Sequence, residues 1–361
     1  MKQIAKKTIL NVKPYVPGKP IDEVKRELGL RRVIKLASNE NPYGPSSKVL
    51  KAMQGAVKNV NRYPDGGCFY LRQTLAKQLK LSPDQLIFGN GSDELIVLAV
   101  RAFVNPGDEV IIADPSFLIY DIASRIAGAK IKAVALKNFR YDLASMKNQV
   151  SKKTKIVFLG NPDNPSGQYF TTKEIQGFFK GLNRDILVFI DEAYYEYVTA
   201  SDYVDSVKLL KMYKNLFITR TFSKMYGLAG LRVGYGMGNK ELIDILNRIR
   251  EPFNVNSVAQ AAAIACLKDK SHYQRLAKTF EAQRKIVCKA LDKLGLIYVD
   301  SCTNFILVNV KRDSSLVCKK LLKKGVIVRD MGFWKLKNFI RVTIGTDKEN
   351  KILIKTLESV L

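Results

Sequence analysis

The stretch KIVFLGNPDNPSG, residues 155–167, changes character at a single point. Its first half is a nearly unbroken apolar run; its second half consists of residues that make turns. An apolar run without alternation is the pattern of a short strand covered on both faces. The Asn, Pro, Asp, Ser and Gly that follow place a loop at the carboxyl end of that strand. The same order recurs four times: QLIF (85–88) runs into GNGSDE, EVIIA (109–113) into DPSF, ILVFI (186–190) into DEAYYEY, and NLFIT (215–219) into RTFSK. Helical patterns, such as 93–104 and 172–182, fall between the runs. Alternating strand and helix predicts an α/β fold with a mostly parallel sheet sandwiched by helices. Five polar loops then collect at one edge, where open sheets of this kind bind ligands.

Outside this region the character changes. Residues 1–34 read as an arm rich in Pro, Gly and Lys, with a helix near 20–28, expected to pack with the smaller domain. Residues 35–250 form the large domain. Residues 251–361 form a smaller α+β domain, helical over 253–295, with NFILVNV, GVIVRD and FIRVTIG as strands around a helix at 314–324.

The chain has 361 residues, 47% of them apolar, which suits a globular protein. Its longest apolar stretch, LIVLAVRAFV, is broken by Arg101, so no membrane span is expected. The basic start has no apolar segment long enough for a secretory signal. Five cysteines without a CxxC motif read as free thiols in a reducing, cytoplasmic setting. The single histidine, His272, reads as a surface residue, so no multi-histidine metal site is expected. Sixty Lys and Arg against 33 Asp and Glu give a formal charge of +27. The basic residues are spread, with no block interleaved with aromatics, which argues for a solvated surface and against specific nucleic-acid recognition.

TFSKMYGLAGLRVGYG, residues 221–236, places Lys224 directly after Ser223 and eight residues before Arg232. In GNGSDE, Ser92 or Asp93 is expected to cap a helix whose N–H groups favour an anion. A hydroxyl, a guanidinium and a helix start make a phosphate cup. A lysine beside such a cup suggests covalent attachment to pyridoxal phosphate. That cofactor needs a carboxylate at its ring nitrogen, and Asp191 ends a strand. Asn164 and Tyr194 follow the adjacent strands as candidates for the ring hydroxyl, and Phe117 as a ring-stacking face. Taken singly, each has an ordinary reading: an exposed lysine, a helix cap, a strand-end acid, a core aromatic.

Together the motifs resemble a family. SKMYGLAGLRVGY is similar to the lysine segment S-K-x-x-x-L-A-G-L-R-x-G-Y of the fold-type I, class I/II aminotransferases. NPDNPSG resembles their N-P-x-N-P-[ST]-G, and DEAY their aspartate–tyrosine strand end. KPYVPGKP (13–20), KLASNENPYGPS (35–46), NRYPDGG (61–67), VIVRDM (326–331) and IRVTIGT (340–346) are most similar to the histidinol-phosphate subgroup.

The resemblance implies a mostly parallel, seven-stranded type of sheet with a smaller α+β domain. It implies pyridoxal 5'-phosphate as cofactor, carried by Lys224, which also moves the proton. Asp191 and Tyr194 would assist, Gly91, Ser92, Asp93, Ser223 and Arg232 would hold the cofactor phosphate, and Asn164 and Phe117 would meet its ring. Tyr63 would reach the site of a neighbouring subunit, making a homodimer necessary. Arg341 would grip the α-carboxylate of glutamate or 2-oxoglutarate, and Tyr15, Asn39, Arg329 and Arg341 would lie near the phosphate of histidinol phosphate. Position 117, often tyrosine in the subgroup, is phenylalanine here, which keeps the stacking face. The resemblance leaves open an aromatic amino-acid aminotransferase and a threonine-phosphate decarboxylase. Against the decarboxylase, the arm lacks a His-Gly-Gly segment.

Overall fold

The computed structural model describes residues 3–10, 12–15 and 17–361. Met1, Lys2, Asn11 and Val16, all within the expected arm, lie outside the described residues. The strands in chain order are β1 (Ile34–Leu36), β2 (Leu86–Gly89), β3 (Glu109–Asp114), β4 (Lys130–Ala135), β5 (Thr154–Gly160) and β6 (Leu187–Asp191). They continue with β7 (Leu216–Thr221), β8 (Gly234–Met237), β9 (Ile297–Val299), β10 (Phe305–Asn309), β11 (Val326–Asp330) and β12 (Phe339–Thr343).

Seven strands form one sheet in the order β2-β8-β7-β6-β5-β3-β4. All neighbours pair in parallel except β8, which runs antiparallel to both β2 and β7. The apolar run that opens KIVFLG lies near the centre. Ile156 and Phe158 enter the core on one face of the sheet, Val157 and Leu159 the core on the other. All four are fully buried, so a strand with no polar side is what this position requires. The helix Ser92–Phe103 covers one face, inserting Leu95, Ile96, Leu98 and Ala99 into the same cluster as Ile156 and Phe158.

Five strands form a second sheet in the order β1-β11-β12-β10-β9. β1 pairs in parallel with β11, so the chain around residues 34–36 joins this smaller sheet and not the seven-stranded one. The helical region beyond 250 divides into Ser257–Lys268 and Lys270–Lys293, separated at Asp269. The arm splits its allegiance. The helix Ile21–Leu28 buries Val24 against Ala37 and Ile327 beside the small sheet, whereas Thr8 Oγ1 donates to Ile126 O on the helix Leu118–Ile126. His272, expected at the surface, is half-buried and packs edge-on against Tyr273 at 4.9 Å. It lies in the first turn of a long helix, and the side facing Tyr273 takes it out of solvent. Among the described residues no helix is long and apolar enough to cross a membrane, and all five cysteines are unpaired.

Candidate active site

The loops at the carboxyl ends of β3, β5, β6 and β7 meet the start of the helix Ser92–Phe103 around a cavity of about 260 Å³. Lys224 follows β7, and its Nζ donates to Ser38 O at 3.3 Å. It lies 5.8 Å from the ring centre of Tyr194. Burial, and next the charge of Arg341, bring its amine down to about 8 from the ordinary 10.5. A lysine so placed has a neutral, nucleophilic fraction near neutral pH.

Asp191 closes β6, opposite Gly160 of β5 and Thr219 of β7. Its Oδ2 accepts from Tyr120 Oη at 2.9 Å and its Oδ1 from Thr219 Oγ1 at 3.3 Å. Burial raises its carboxyl to about 6, against the pull of the Tyr120 hydrogen bond. A buried acid held near neutrality is poised to ionise against an approaching cation. Tyr194 is buried three residues further on, and its Oη accepts from Asn39 Nδ2 at 2.9 Å. Burial lifts that phenol to about 12.

The phosphate-cup residues come together. Arg232 Nη1 donates to Ser223 Oγ at 3.2 Å, and Nη2 lies 3.5 Å from Asp93 Oδ2. Neither Ser92 nor Asp93 caps the helix, contrary to the sequence expectation. Gly91 does, at φ +82, and it has no side chain to accept from the first turn. The reason is space: a Cβ at Gly91 would sit 2.5 Å from Arg232 Nη2. A glycine cap leaves the first-turn N–H groups to an outside anion, which is the arrangement a phosphate needs.

Arg341, on β12, is buried. Its Nη1 donates to Asn164 Oδ1 in a short contact, and Nη2 to Ala37 O at 3.0 Å. Among the described residues its Nε has no hydrogen-bond partner. A buried guanidinium with an unmatched donor beside an open cavity is suited to an anionic ligand. Asn164 thus turns its oxygen to Arg341.

Twelve of the residues expected from sequence line this one cavity: Tyr15, Asn39, Ser92, Asp93, Phe117, Asn164, Asp191, Tyr194, Ser223, Lys224, Arg232 and Arg341. Three do not. Gly91 lies just behind, against Arg232. Arg329 lines an adjoining cavity with Lys19 and Cys318. Tyr63 is 83% exposed and stacks on Phe253 at 4.8 Å. Asn39 is held by more than Tyr194: its backbone N donates to Thr343 Oγ1, and its O accepts from Asn304 Nδ2. Tyr120, Thr221, Ile119 and Trp334 also line the cavity and were missed. Tyr120 sits three residues past Phe117, one helical turn on, which is the only signal the sequence held for it.

The cavity's own chemistry fits pyridoxal phosphate: a glycine-capped helix start with Ser223 and Arg232 for a phosphate, a buried acid for a ring nitrogen, and a desolvated amine for an aldehyde. Comparison with known proteins agrees. The family described as aminotransferase class I and II matches residues 31–357. Histidinol-phosphate aminotransferase of Moorella thermoacetica is 46% identical over 357 residues, covering 99% of this chain and 92% of that one. The enzyme of the same name from Caldicellulosiruptor saccharolyticus is 43% identical, covering 99% of both. The crystal structure of histidinol-phosphate aminotransferase from Sinorhizobium meliloti, in complex with pyridoxal-5'-phosphate, superposes with a TM-score of 0.92 at 28% identity, covering 99% of this chain and 97% of that one. With that coverage, the chain belongs to the class I and II aminotransferases and, within them, to the histidinol-phosphate aminotransferase family.

Proposed function

We propose that the protein transfers an amino group from glutamate, through pyridoxal 5'-phosphate, to imidazole acetol phosphate, giving L-histidinol phosphate and 2-oxoglutarate. The direction serves histidine biosynthesis. The observation that carries this reading is the meeting of Lys224 with Arg341 in one cavity: an amine brought down to about 8 beside a buried guanidinium with a free donor. The cofactor supplies an electron sink that makes the substrate Cα–H acidic.

The chain's residues do the rest. The first-turn N–H groups after Gly91, with Ser223 and Arg232, hold the cofactor phosphate. Asp191, steadied by Tyr120 and Thr219, holds a proton on the ring nitrogen by ion pairing. Phe117 covers a ring face, and Asn164 and Tyr194 steady the ring hydroxyl. Lys224 would hold the cofactor's aldehyde end, and its amine would move the proton at the substrate Cα. Arg341 fixes the anion nearest that carbon, which orients the C–H bond.

A second copy of the chain supports the site. Tyr63, Phe69 and Tyr70 are all exposed aromatics in one short stretch, and aromatics in such clusters favour an interface. In the homodimer Tyr63 reaches the cofactor phosphate of the neighbouring copy. Five unpaired cysteines suit a reducing cytoplasm. The test is a coupled assay of the purified protein with histidinol phosphate and 2-oxoglutarate, run beside phenylalanine and tyrosine. Preference for histidinol phosphate is expected; preference for the aromatic amino acids would reassign the enzyme.

A further inference from the structure

Three consecutive residues after β1 each hold one side chain of the cavity. Ala37 O accepts from Arg341 Nη2 at 3.0 Å, Ser38 O accepts from Lys224 Nζ at 3.3 Å, and Asn39 Nδ2 donates to Tyr194 Oη at 2.9 Å. Asn39 is buried, with φ +55, in the left-handed region that asparagine tolerates better than most residues. Two residues of the smaller sheet region hold it there. Asn304, just before β10, donates Nδ2 to Asn39 O at 3.0 Å. Thr343, the last residue of β12, bonds to Asn39 twice: its Oγ1 accepts from Asn39 N at 2.9 Å and donates to Asn39 Oδ1 at 3.2 Å. Thr343 lies two residues beyond Arg341, and so on the same face of the strand.

The direction of these bonds follows from the donors present. A backbone N–H can only donate, so Thr343 Oγ1 accepts from Asn39 N and still has its own hydrogen to give. Among the described residues the acceptor for that hydrogen is Asn39 Oδ1. The amide oxygen is therefore turned to Thr343 and the amide nitrogen to Tyr194. With the amide reversed, the threonine hydrogen would be left unpaired in the interior, which is costly. Tyr194 Oη receives a hydrogen from Asn39, its one hydrogen-bond partner among the described residues, and so keeps its own. The phenol lines the cavity, its ring set edge-on against Phe305 at 5.1 Å.

We propose that Thr343 is a positioning residue for Tyr194: its hydroxyl fixes which way round the Asn39 amide sits, and thereby commits the Tyr194 hydrogen to the ring oxygen of bound pyridoxal phosphate. Without that hydroxyl the amide turns over, and its oxygen takes the phenolic hydrogen away from the cavity. Thr343 itself is buried and does not line the cavity, so it acts only through Asn39. The proposal rests on the cofactor reading given above. A hydrogen bond donated to the ring oxygen favours its negative charge, so the bound chromophore loses its proton at lower pH when Tyr194 donates.

The test is a pH titration of the holoenzyme's visible absorbance without substrate, joined to melting curves of the cofactor-free protein. Thr343→Val replaces the hydroxyl with a methyl group; Thr343→Ser keeps it. The Val variant should move the absorbance midpoint up by about half to one pH unit, and the Ser variant should return it to near the parent's. In a Tyr194→Phe background the Val change should move it no further. Should the Val variant not fold, Thr343→Ala removes the same hydroxyl without a buried methyl in its place and gives the same comparison. In the cofactor-free protein, the losses of melting temperature from Thr343→Val and Tyr194→Phe should be non-additive, since both residues bond to one amide. An unmoved midpoint, a Ser variant shifted as far as Val, an equal shift in the Tyr194→Phe background, or strictly additive melting losses would overturn the proposal. A parent protein that stays colourless with pyridoxal phosphate would sink the cofactor reading instead, and the melting cycle would still decide whether Thr343 acts on Tyr194.

Discussion

Arg329 and Arg341 stand directly opposite one another in the antiparallel pairing of β11 with β12. Residues so paired project from the same face of a sheet, and like charges placed there repel. Burial, with the charge of Arg329 adding to it, holds the Arg341 guanidinium below its ordinary value. Arg341 is the member of the pair that lines the active-site cavity, and among the described residues its Nε has no hydrogen-bond partner. Arg341→Ala removes the cation closer to the reacting carbon. It should raise KM for glutamate by a factor corresponding to about 2 kcal/mol or more, while the affinity for free cofactor stays near the parent value. Steady-state kinetics alongside cofactor titration checks this; equal loss of both would remove Arg341 from the substrate site.

The amine of Lys224 sets a pH dependence. Its value near 8 in the folded protein lies below the ordinary 10.5, so between those limits the unfolded chain binds more protons than the native one. Stability of the cofactor-free protein therefore rises with pH over that window as far as this group is concerned. Below it, the buried charge costs on the order of 3 kcal/mol. Lys224→Met should raise the melting temperature of the cofactor-free protein at pH 7 and lose most of that advantage by pH 10. A variant no more stable than the parent at pH 7 would mean that the amine is not desolvated.

Gly91 answers to a steric argument. A methyl group there would collide with Arg232, and the backbone is in the left-handed region that favours glycine. Gly91→Ala should weaken cofactor binding about tenfold or more through loss of the helix-start contacts, with near-parent turnover at saturating cofactor. Measurement of the cofactor dissociation constant by absorbance decides it; an unchanged constant would move the phosphate elsewhere.

These residues show what the sequence made legible. β5 was readable because a central parallel strand buries both faces and so has no polar positions. β4 was not: Lys130–Ala135 lies at the sheet edge, where only partial cover is needed. β8 was hidden by its composition, since Gly-Tyr-Gly-Met looks like a turn. It is a strand because Gly236 lets the Phe217 ring pack against its backbone, where a Cβ would sit 2.5 Å from the ring. Lys224, Asp191 and Arg232 were legible because motifs at strand ends converge by topology alone. Trp334 and Tyr120 were not, because each reaches the cavity through a contact that only the packed structure makes: the indole to Ser116, the phenol to Asp191.

Tyr63 provides a test of assembly. It is exposed in the single chain and stacked on Phe253, far from any role in its own cavity. Lys224→Ala and Tyr63→Ala homodimers should both be impaired. A hybrid of the two contains one site with both native residues, and mixing the variants under conditions that exchange subunits should restore activity. No recovery in verified hybrids would place Tyr63 outside the neighbouring site.

The account stands most directly on where the cofactor is attached. Borohydride reduction of the holoenzyme followed by peptide mass mapping should place the pyridoxyl group on Lys224 alone, with loss of the protein's visible absorbance and of transamination from glutamate. A tag on another lysine, or none on a protein that remains colourless with added pyridoxal phosphate, would contradict it.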